Sequence, residues 1–230
     1  MATPLSVSKI NIGETWSNQM NKEYYKIDSK IDTEETGNIF PAIESAKGYD
    51  FNASNSVYKL RSDIFPTFEP NFEFILSKGA KEVDILSQGT ISANGLVVSQ
   101  RLKQFFKNYI TVPQMSFELR IQNTKSNYYW IQYMWNESKS FVDFEKTTFK
   151  ISEFGNLIEA EKKITNVSEF EDYQNQLGNF KLLYPTNLYL VDNNFDIITL
   201  PYRGGIGVSN SVKNDLIKNG FTGFELREIN

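Results

Sequence analysis

Two carboxylates near the middle of the chain have a spacing that could support chemistry. Asp143 and Glu145 lie two residues apart in a segment that alternates apolar and polar residues, so a β-strand would place both on one face. Paired carboxylates can work as general acid and general base, and they can hold Ca²⁺ or Mg²⁺. The Asp-rich loop of an EF-hand is absent, and a solvated strand face is the commoner explanation of such a pair.

Two tryptophans form the second candidate. Trp130 and Trp135 belong to the run NYYWIQYMW, residues 127–135, in which almost every side chain is aromatic or apolar. Exposed aromatic rings could stack on sugars or anchor a protein partner, whereas buried ones would belong to the core. Because both alternating faces of this run are apolar, the pattern predicts a central strand covered on each side.

Missing residue types exclude several kinds of chemistry. The 230-residue chain contains no histidine and no cysteine. Disulfides, Cys-ligated zinc, thiol nucleophiles and a Ser-His-Asp triad are therefore excluded. The net charge of −4 comes from 24 basic and 28 acidic residues, whereas a nucleic-acid binder usually carries a basic excess. We expect no cofactor, no metal and no nucleic-acid partner, and catalysis is disfavoured.

A glycine-rich segment, residues 203–207, precedes a predicted helix at Ser209. Glycines before a helix N-terminus can bind an anion. This segment lacks the Gly-Lys-Ser/Thr ending of a Walker loop, and its spacing is not that of the dinucleotide fingerprint. We therefore interpret it as a flexible turn into the helix.

Location and domain organisation follow from composition along the chain. The N-terminus lacks a charged stretch followed by a continuous apolar run, and no run approaches the ~18 apolar residues of a membrane span. We expect a cytoplasmic protein that does not bind membranes. Pro66 and Pro70 follow a polar, irregular stretch and predict an N-terminal lobe over residues 1–70 and an α+β domain over 71–230, with one continuous domain as the alternative.

Three serines mark predicted helix starts. Ser99 and Ser209 each precede apolar residues at helical spacing, and Ser168 with Glu171 has the spacing of a capping box. The helix that begins at Ser168 should end at Gly178. Together with alternating strand segments, these signals predict an α+β fold with a mixed or antiparallel sheet and a few packed helices.

Two stretches of the chain resemble each other. Residues 97–121 and 207–229 both begin with Val-Ser, continue through a basic, polar helical segment and close on Phe-Glu-Leu-Arg. Each predicts a strand, a Ser-capped helix and a second strand. Either the unit is duplicated, or two ordinary strand-helix-strand units converge on the same local rules. The FELR runs are interpreted as strands that receive the helices.

Four segments resemble a known family. They are VVSQRLKQFF, then YYWIQYMW leading into FVDFEKTTF, then LYLVDNNFDIITL, and finally GVSNSVKNDLIKNGFTGFELREI. Their order over about two-thirds of the chain is similar to that of the bacterial polymorphic-toxin immunity proteins of the myxobacterial type. Thr147 stands where the family has serine, and residues 1–70 show no resemblance. The resemblance implies an α+β cytoplasmic protein that binds and neutralises a toxin, and it supplies no catalytic residue.

The combined prediction is a non-catalytic immunity protein that occludes a cognate protein toxin. Trp135, Asp143 and Glu145 are the predicted partner contacts. Two alternatives stay open at this point. One is a carbohydrate- or peptide-binding module that uses Trp130 and Trp135, and the other is a hydrolase that uses Asp143 and Glu145 in a shared pocket.

Overall fold

The computed structural model describes residues 22–154, 156–157, 161–178, 180–191 and 193–229. These residues form mixed and antiparallel sheets with a few helices, so the predicted α+β class is confirmed. The strands are β1 (Tyr24–Ser29), β2 (Ile43–Ser45), β3 (Glu73–Leu76), β4 (Ile85–Leu86), β5 (Gly95–Ser99), β6 (Gln114–Gln122), β7 (Tyr128–Tyr133), β8 (Thr148–Glu153), β9 (Asn156–Leu157), β10 (Lys181–Asn187), β11 (Ile197–Thr199), β12 (Ile206–Ser209) and β13 (Phe224–Glu228). The α-helices are α1 (Gln100–Phe106), α2 (Val167–Leu177) and α3 (Asn210–Lys218), and two 3-10 helices span Val57–Lys59 and Asn136–Phe141.

The largest sheet has the strand order β2-β3-β6-β7-β5-β4. All neighbours are antiparallel except β3 and β6. The aromatic strand β7 lies between β6 and β5, with Ile131 and Tyr133 in one hydrophobic core and Tyr128 and Trp130 in another. The prediction of a central strand is therefore confirmed, because a strand that is apolar on both faces must be covered on both.

A second sheet, β11-β12-β1-β13, is antiparallel throughout. Its buried side chains share one core with β5, β7, α1 and α3. Leu102 and Phe106 of α1, and Val212 and Leu216 of α3, are at most 1% exposed in this core. Each short helix therefore contributes the apolar face that its sequence spacing predicts.

Residues 22–70 do not pack as a lobe of their own. β1 lies inside the second sheet between β12 and β13, and β2 pairs with β3. Ile43, Val57 and Leu60 are buried in the same core as residues of β6 and β7. The contacts of residues 22–70 therefore run across the boundary that the sequence predicts at residue 70, which favours the alternative of one continuous domain. Residues 1–21 lie outside the described part.

The residues between β7 and β11 form a third sheet, β10-β8-β9, with α2 packed against it. Phe149 and Ile151 of β8, Phe170 of α2 and Leu183 of β10 are buried in a separate small core. In the chain, this substructure stands between the two similar stretches.

The two similar stretches have the same topology. The partial orders β4-β5-β7-β6 and β11-β12-β1-β13 correspond strand by strand, with α1 following β5 and α3 following β12. Both predicted caps are confirmed, since Ser99 Oγ accepts a hydrogen bond from the Leu102 amide and Ser209 Oγ accepts one from the Val212 amide. We call the two assemblies the first and second repeat units.

The same long-range contacts occur in both repeat units. In each unit, the hydroxyl of the capping serine donates a hydrogen bond to an aspartate carboxylate. A tyrosine hydroxyl donates to the backbone carbonyl of the residue that precedes this aspartate. A lysine ammonium group lies over the ring of a second tyrosine, which directly follows the first tyrosine in the chain. The pairs are Ser99–Asp84 and Ser209–Asp196, Tyr128–Val83 and Tyr24–Phe195, and Lys103–Tyr129 and Lys213–Tyr25. Local capping rules do not require such contacts, so they favour duplication over convergence.

The order of strands along the chain differs between the repeat units. In the first, β7 follows β6 directly, whereas its counterpart in the second is β1, at the other end of the chain from β13. The second repeat unit is therefore completed by a strand that precedes the first. This arrangement is a circular permutation of the same unit.

The FELR runs lie on β6 and β13, so their prediction as strands is confirmed. They do not occupy equivalent positions. Glu118 pairs with Tyr129, but the counterpart of that tyrosine, Tyr25, pairs with Glu228 rather than with Glu225. The identical FELR residues therefore stand at different positions of the strand pairing in the two sheets, so they do not mark a shared binding motif.

The start of α2 differs from the prediction. Asn166, not Ser168, caps the helix, and its side chain accepts a 2.9 Å hydrogen bond from the Glu169 amide. The Glu169 carboxylate accepts from the Thr165 amide at 2.8 Å, which completes a variant of the capping box two residues earlier than expected. Gly178, with φ 78°, ends the helix as predicted.

Candidate functional site

Asp143 and Glu145 lie in a turn rather than on a strand, which corrects the prediction that they share a strand face. The turn covers residues 144–146, just before β8. The Asp143 carboxylate accepts a 3.2 Å hydrogen bond from the Lys146 amide and lies 2.8 Å from Lys146 Nζ. The Lys146 ammonium holds the pKa of Asp143 below its ordinary value, so Asp143 is an ionised residue that stabilises the turn.

The two carboxylates do not converge in one cavity. Glu145 is exposed and lines a cavity of about 520 Å³ with Lys163 and Thr165, and Asp143 is not part of that lining. The hydrolase alternative requires both carboxyl groups to meet in one pocket, so the geometry disfavours it. Glu145 stays a predicted partner contact.

The two tryptophans have different environments. Trp130 is 1% exposed in the core that it shares with Tyr128, so it cannot stack on a sugar at the surface. Trp135 is half-buried two residues after the end of β7. The carbohydrate alternative therefore loses one of its two aromatic residues, and only Trp135 remains as a candidate for surface recognition.

Trp135 lines a groove of about 560 Å³ between α2, residues 62–63, the 3-10 helix that follows β7 and the turn that contains Tyr202. We call it the aromatic groove. Its lining residues are Ser62, Asp63, Trp135, Lys139, Phe170, Glu171, Gln174, Asn175 and Tyr202. This volume is within the range of ligand pockets in proteins, ~300–1,000 Å³.

Hydrogen bonds to β7 hold one wall of the aromatic groove in place. The Trp135 amide donates to the Ser62 carbonyl at 3.0 Å. Gln132, on β7, donates its side-chain amide to the carbonyls of Arg61 and Ile64 at 2.8 and 3.1 Å. Residues 61–64 are thereby attached to a buried central strand, although they have no regular secondary structure themselves.

A stacked aromatic pair forms another wall. The rings of Phe170 and Tyr202 have centroids 3.8 Å apart. Tyr202 has φ 60°, a left-handed conformation that costs roughly 1–2 kcal/mol for a residue with a Cβ. Its hydroxyl oxygen is buried and has no hydrogen-bond partner among the described residues. Burial, with a smaller contribution from the charge of Glu171, raises the pKa of Tyr202 to about 12.

Ion pairs surround the aromatic walls. Lys139 Nζ lies 2.8 Å from Glu171 Oε1. Asp63 accepts two hydrogen bonds from Arg61, at 2.9 and 2.5 Å, and these lower the pKa of Asp63 below its ordinary value. The lining of the aromatic groove thus contains two carboxylates and one ammonium group.

The α2 wall is fixed to the third sheet through Gln174. Its amide nitrogen donates to the Lys181 carbonyl at 2.9 Å, and its amide oxygen accepts from the Leu183 amide at 2.8 Å. Arg203 Nε donates to the carbonyl of Pro185 further along β10. These bonds occupy backbone groups on the free edge of β10, so this edge is protected against addition of another strand.

Sequence reasoning identified Trp135 and missed the other aromatic and charged residues of the groove. Phe170 and Glu171 lie on a helix that was predicted, but no local signal relates them to Trp135. The glycine-rich segment was correctly interpreted as a turn, with positive φ at Gly204 and Gly205, although it leads into β12 before α3 begins. Its neighbour Tyr202 gave no sequence signal of its own.

Two further properties concern the described ranges of the chain. No group of three or more Asp and Glu side chains in them is placed to hold a metal ion. Among the helices that these ranges contain, none has the length and apolar character needed to cross a bilayer.

A scan of the sequence against protein-family models and a search of curated proteins both find no match.

Proposed function

We propose that the protein is a cytoplasmic, non-catalytic immunity protein that binds a cognate bacterial toxin and neutralises it by occluding the toxin's active site or substrate groove. The aromatic groove is the observation that carries the proposal. It combines half-buried aromatic rings with ion pairs at their edge, which is the anatomy of an energetic hot spot in protein–protein interfaces. The resemblance to toxin immunity proteins provides the class of partner.

The rigidity of the groove supports a binding role. Trp135 directly precedes a 3-10 helix that is hydrogen-bonded to β11, and Phe170 lies on α2, which is hydrogen-bonded to β10. The ring of Tyr202 contacts the ring of Phe149 on β8. A preorganised surface loses little conformational entropy when a partner binds, so more of the contact energy is available for affinity. The strained backbone of Tyr202 is consistent with a position selected for function.

The test expresses the gene adjacent to that of this protein, which the proposal expects to encode the toxin. Cells that express this toxin should survive when the protein is co-expressed, and the two proteins should copurify as a complex. Loss of toxin activity should require binding but no turnover, so protection should depend on a stoichiometric amount of the protein. Absence of both protection and a complex would refute the proposal.

Trp135→Ala tests the role of the groove within this function. Hot-spot residues contribute at least ~2 kcal/mol to binding, so the variant should bind the toxin about 30-fold more weakly. Tyr58→Ala is the matched control, because Tyr58 is an aromatic residue that is 52% exposed and lies outside the groove lining. Isothermal titration calorimetry measures both. Equal affinities for the two variants would show that the groove is not the docking site.

A further inference from the structure

We propose that the aromatic groove takes a cationic side chain, an arginine or a lysine presented by the partner protein, between its aromatic walls and its carboxylates. This inference rests on the proposed function for the existence of the partner. It adds the chemistry that the partner must present at this site.

The aromatic walls suit a cation. The faces of aromatic rings carry negative electrostatic potential, and they attract cations most strongly where the cation is desolvated. The guanidinium group of arginine is planar and weakly hydrated, so it can enter a half-buried groove at a lower cost than a compact ion. Trp135, Phe170 and Tyr202 provide three rings around a space of about 560 Å³.

The charge balance of the groove also favours a cation. Among the charged lining residues, Glu171 is paired with Lys139, and Asp63 is paired with Arg61 from outside the lining. α2, which carries Glu171, also contains Glu169 and Asp172 and has no basic residue. The acidic excess on α2 therefore makes the field on this side of the groove negative, and a basic side chain of a partner would be attracted to it.

The structure already places an ammonium group in the groove. Lys139 Nζ contacts Glu171 Oε1, and the side chains of both residues remain partly exposed, at 28% and 51%. Because an ion pair with this exposure is weak, an incoming arginine can compete with Lys139 for Glu171.

The experiment measures binding of two short peptides to the full chain. The probes are acetyl-Gly-Arg-Gly-amide and acetyl-Gly-Glu-Gly-amide, each titrated while the indole N–H resonance of Trp135 is followed by NMR. Trp135→Phe assigns that resonance. We expect the arginine peptide to shift it in a saturable manner and the glutamate peptide to leave it in place.

Two variants that break the same ion pair separate a binding role from a structural one. Glu171→Gln should weaken the arginine peptide roughly tenfold, which corresponds to 1.4 kcal/mol. Lys139→Gln should strengthen it, because it removes the competing cation. A merely structural ion pair would make both variants change in the same direction. Asp172→Asn is the matched control, since it removes one charge from the exposed face of α2 outside the groove lining and should stay within twofold of the wild type.

Several results would overturn this inference. They are a shift by the glutamate peptide, no shift by either peptide, or the same direction of change in Glu171→Gln and Lys139→Gln. Its failure can be distinguished from that of the proposed function by the same variants in the toxin assay. If the toxin binds the wild type and Glu171→Gln equally well, the cation site fails and the immunity function stands. If the peptides behave as expected but no toxin is bound, the reverse holds.

Discussion

Asp84→Asn should lower the free energy of unfolding by about 3 kcal/mol, because this carboxylate joins the two repeat units. The Asp84 side chain is 8% exposed. It accepts hydrogen bonds from Ser99 Oγ at 2.7 Å, from Arg101 Nη2 at 2.5 Å and from the Thr222 amide at 2.9 Å. Thr222 belongs to the second repeat unit, whereas the other two donors belong to the first.

The magnitude follows from these contacts. Asparagine keeps one acceptor oxygen but turns an NH₂ group toward donors that had bonded the other oxygen. Losing a hydrogen bond to a charged group costs about 1.5–3 kcal/mol, and a buried amide left without an acceptor adds to this. Arg101 is 56% exposed, so its ion pair with Asp84 contributes no more than about 1 kcal/mol. The sum is about 3 kcal/mol, a large part of the ~5–15 kcal/mol typical of a folded protein.

Asp196→Asn is the matched control because Asp196 is the counterpart of Asp84 in the second repeat unit. Its side chain is 20% exposed, and its contact with Ser209 Oγ is longer, at 3.3 Å. We expect this variant to cost only about 1 kcal/mol. Urea denaturation followed by circular dichroism measures both, with an unchanged slope showing that the difference is one of stability. Equal losses in the two variants, or a loss below about 1 kcal/mol for Asp84→Asn, would refute the reasoning.

The same carboxylate predicts a pH dependence. Burial alone would raise the pKa of Asp84, but hydrogen bonds from Arg101, Ser99 and Thr222 outweigh it and lower the pKa below 3.8. A depressed folded-state pKa stabilises the fold above the unfolded-state pKa, and this contribution is lost as pH falls through the folded-state value. The difference in stability between wild type and Asp84→Asn should therefore be full at pH 7 and shrink below about pH 4.

Two further predictions concern the repeat units. The first is a circular permutant in which residue 230 is joined to residue 1 and the chain is opened after Lys30. It should fold cooperatively, because β1 and β13 are adjacent antiparallel strands. A permutant that is opened inside β7 should not fold, because β7 pairs with β6 at the centre of the largest sheet. Gly223→Ala should cost about 2–4 kcal/mol, since φ is 81° and a Cβ would lie 2.4 Å from Val83 Cγ2. Gly220→Ala, with φ 62° and no atom within 4 Å, should cost only about 1 kcal/mol. Thermal unfolding measures all four variants, and equal costs at the two glycines would contradict the packing argument.

Local signals in the sequence predicted several elements correctly. Ser99 and Ser209 cap helices, and the aromatic run around Trp130 is a central strand, because caps and strand periodicity depend on residues a few positions apart. The segment around Asp143 shows where such signals fail. It alternates apolar and polar residues as a strand does, yet its backbone turns so that Asp143 can bond the amide of Lys146. A hydrogen bond within the turn outweighed the periodicity.

The sequence by itself determined which chemistry is unavailable, where the helices α1 and α3 begin, and which strand lies at the centre of the largest sheet. Only the tertiary structure decided that β1 completes the second repeat unit and that the FELR runs are out of register. It also assembled the aromatic groove from residues 62, 63, 135, 139, 170, 171, 174, 175 and 202. Contacts between such distant residues leave no period in the sequence, because they are set by how sheets and helices pack rather than by any local spacing.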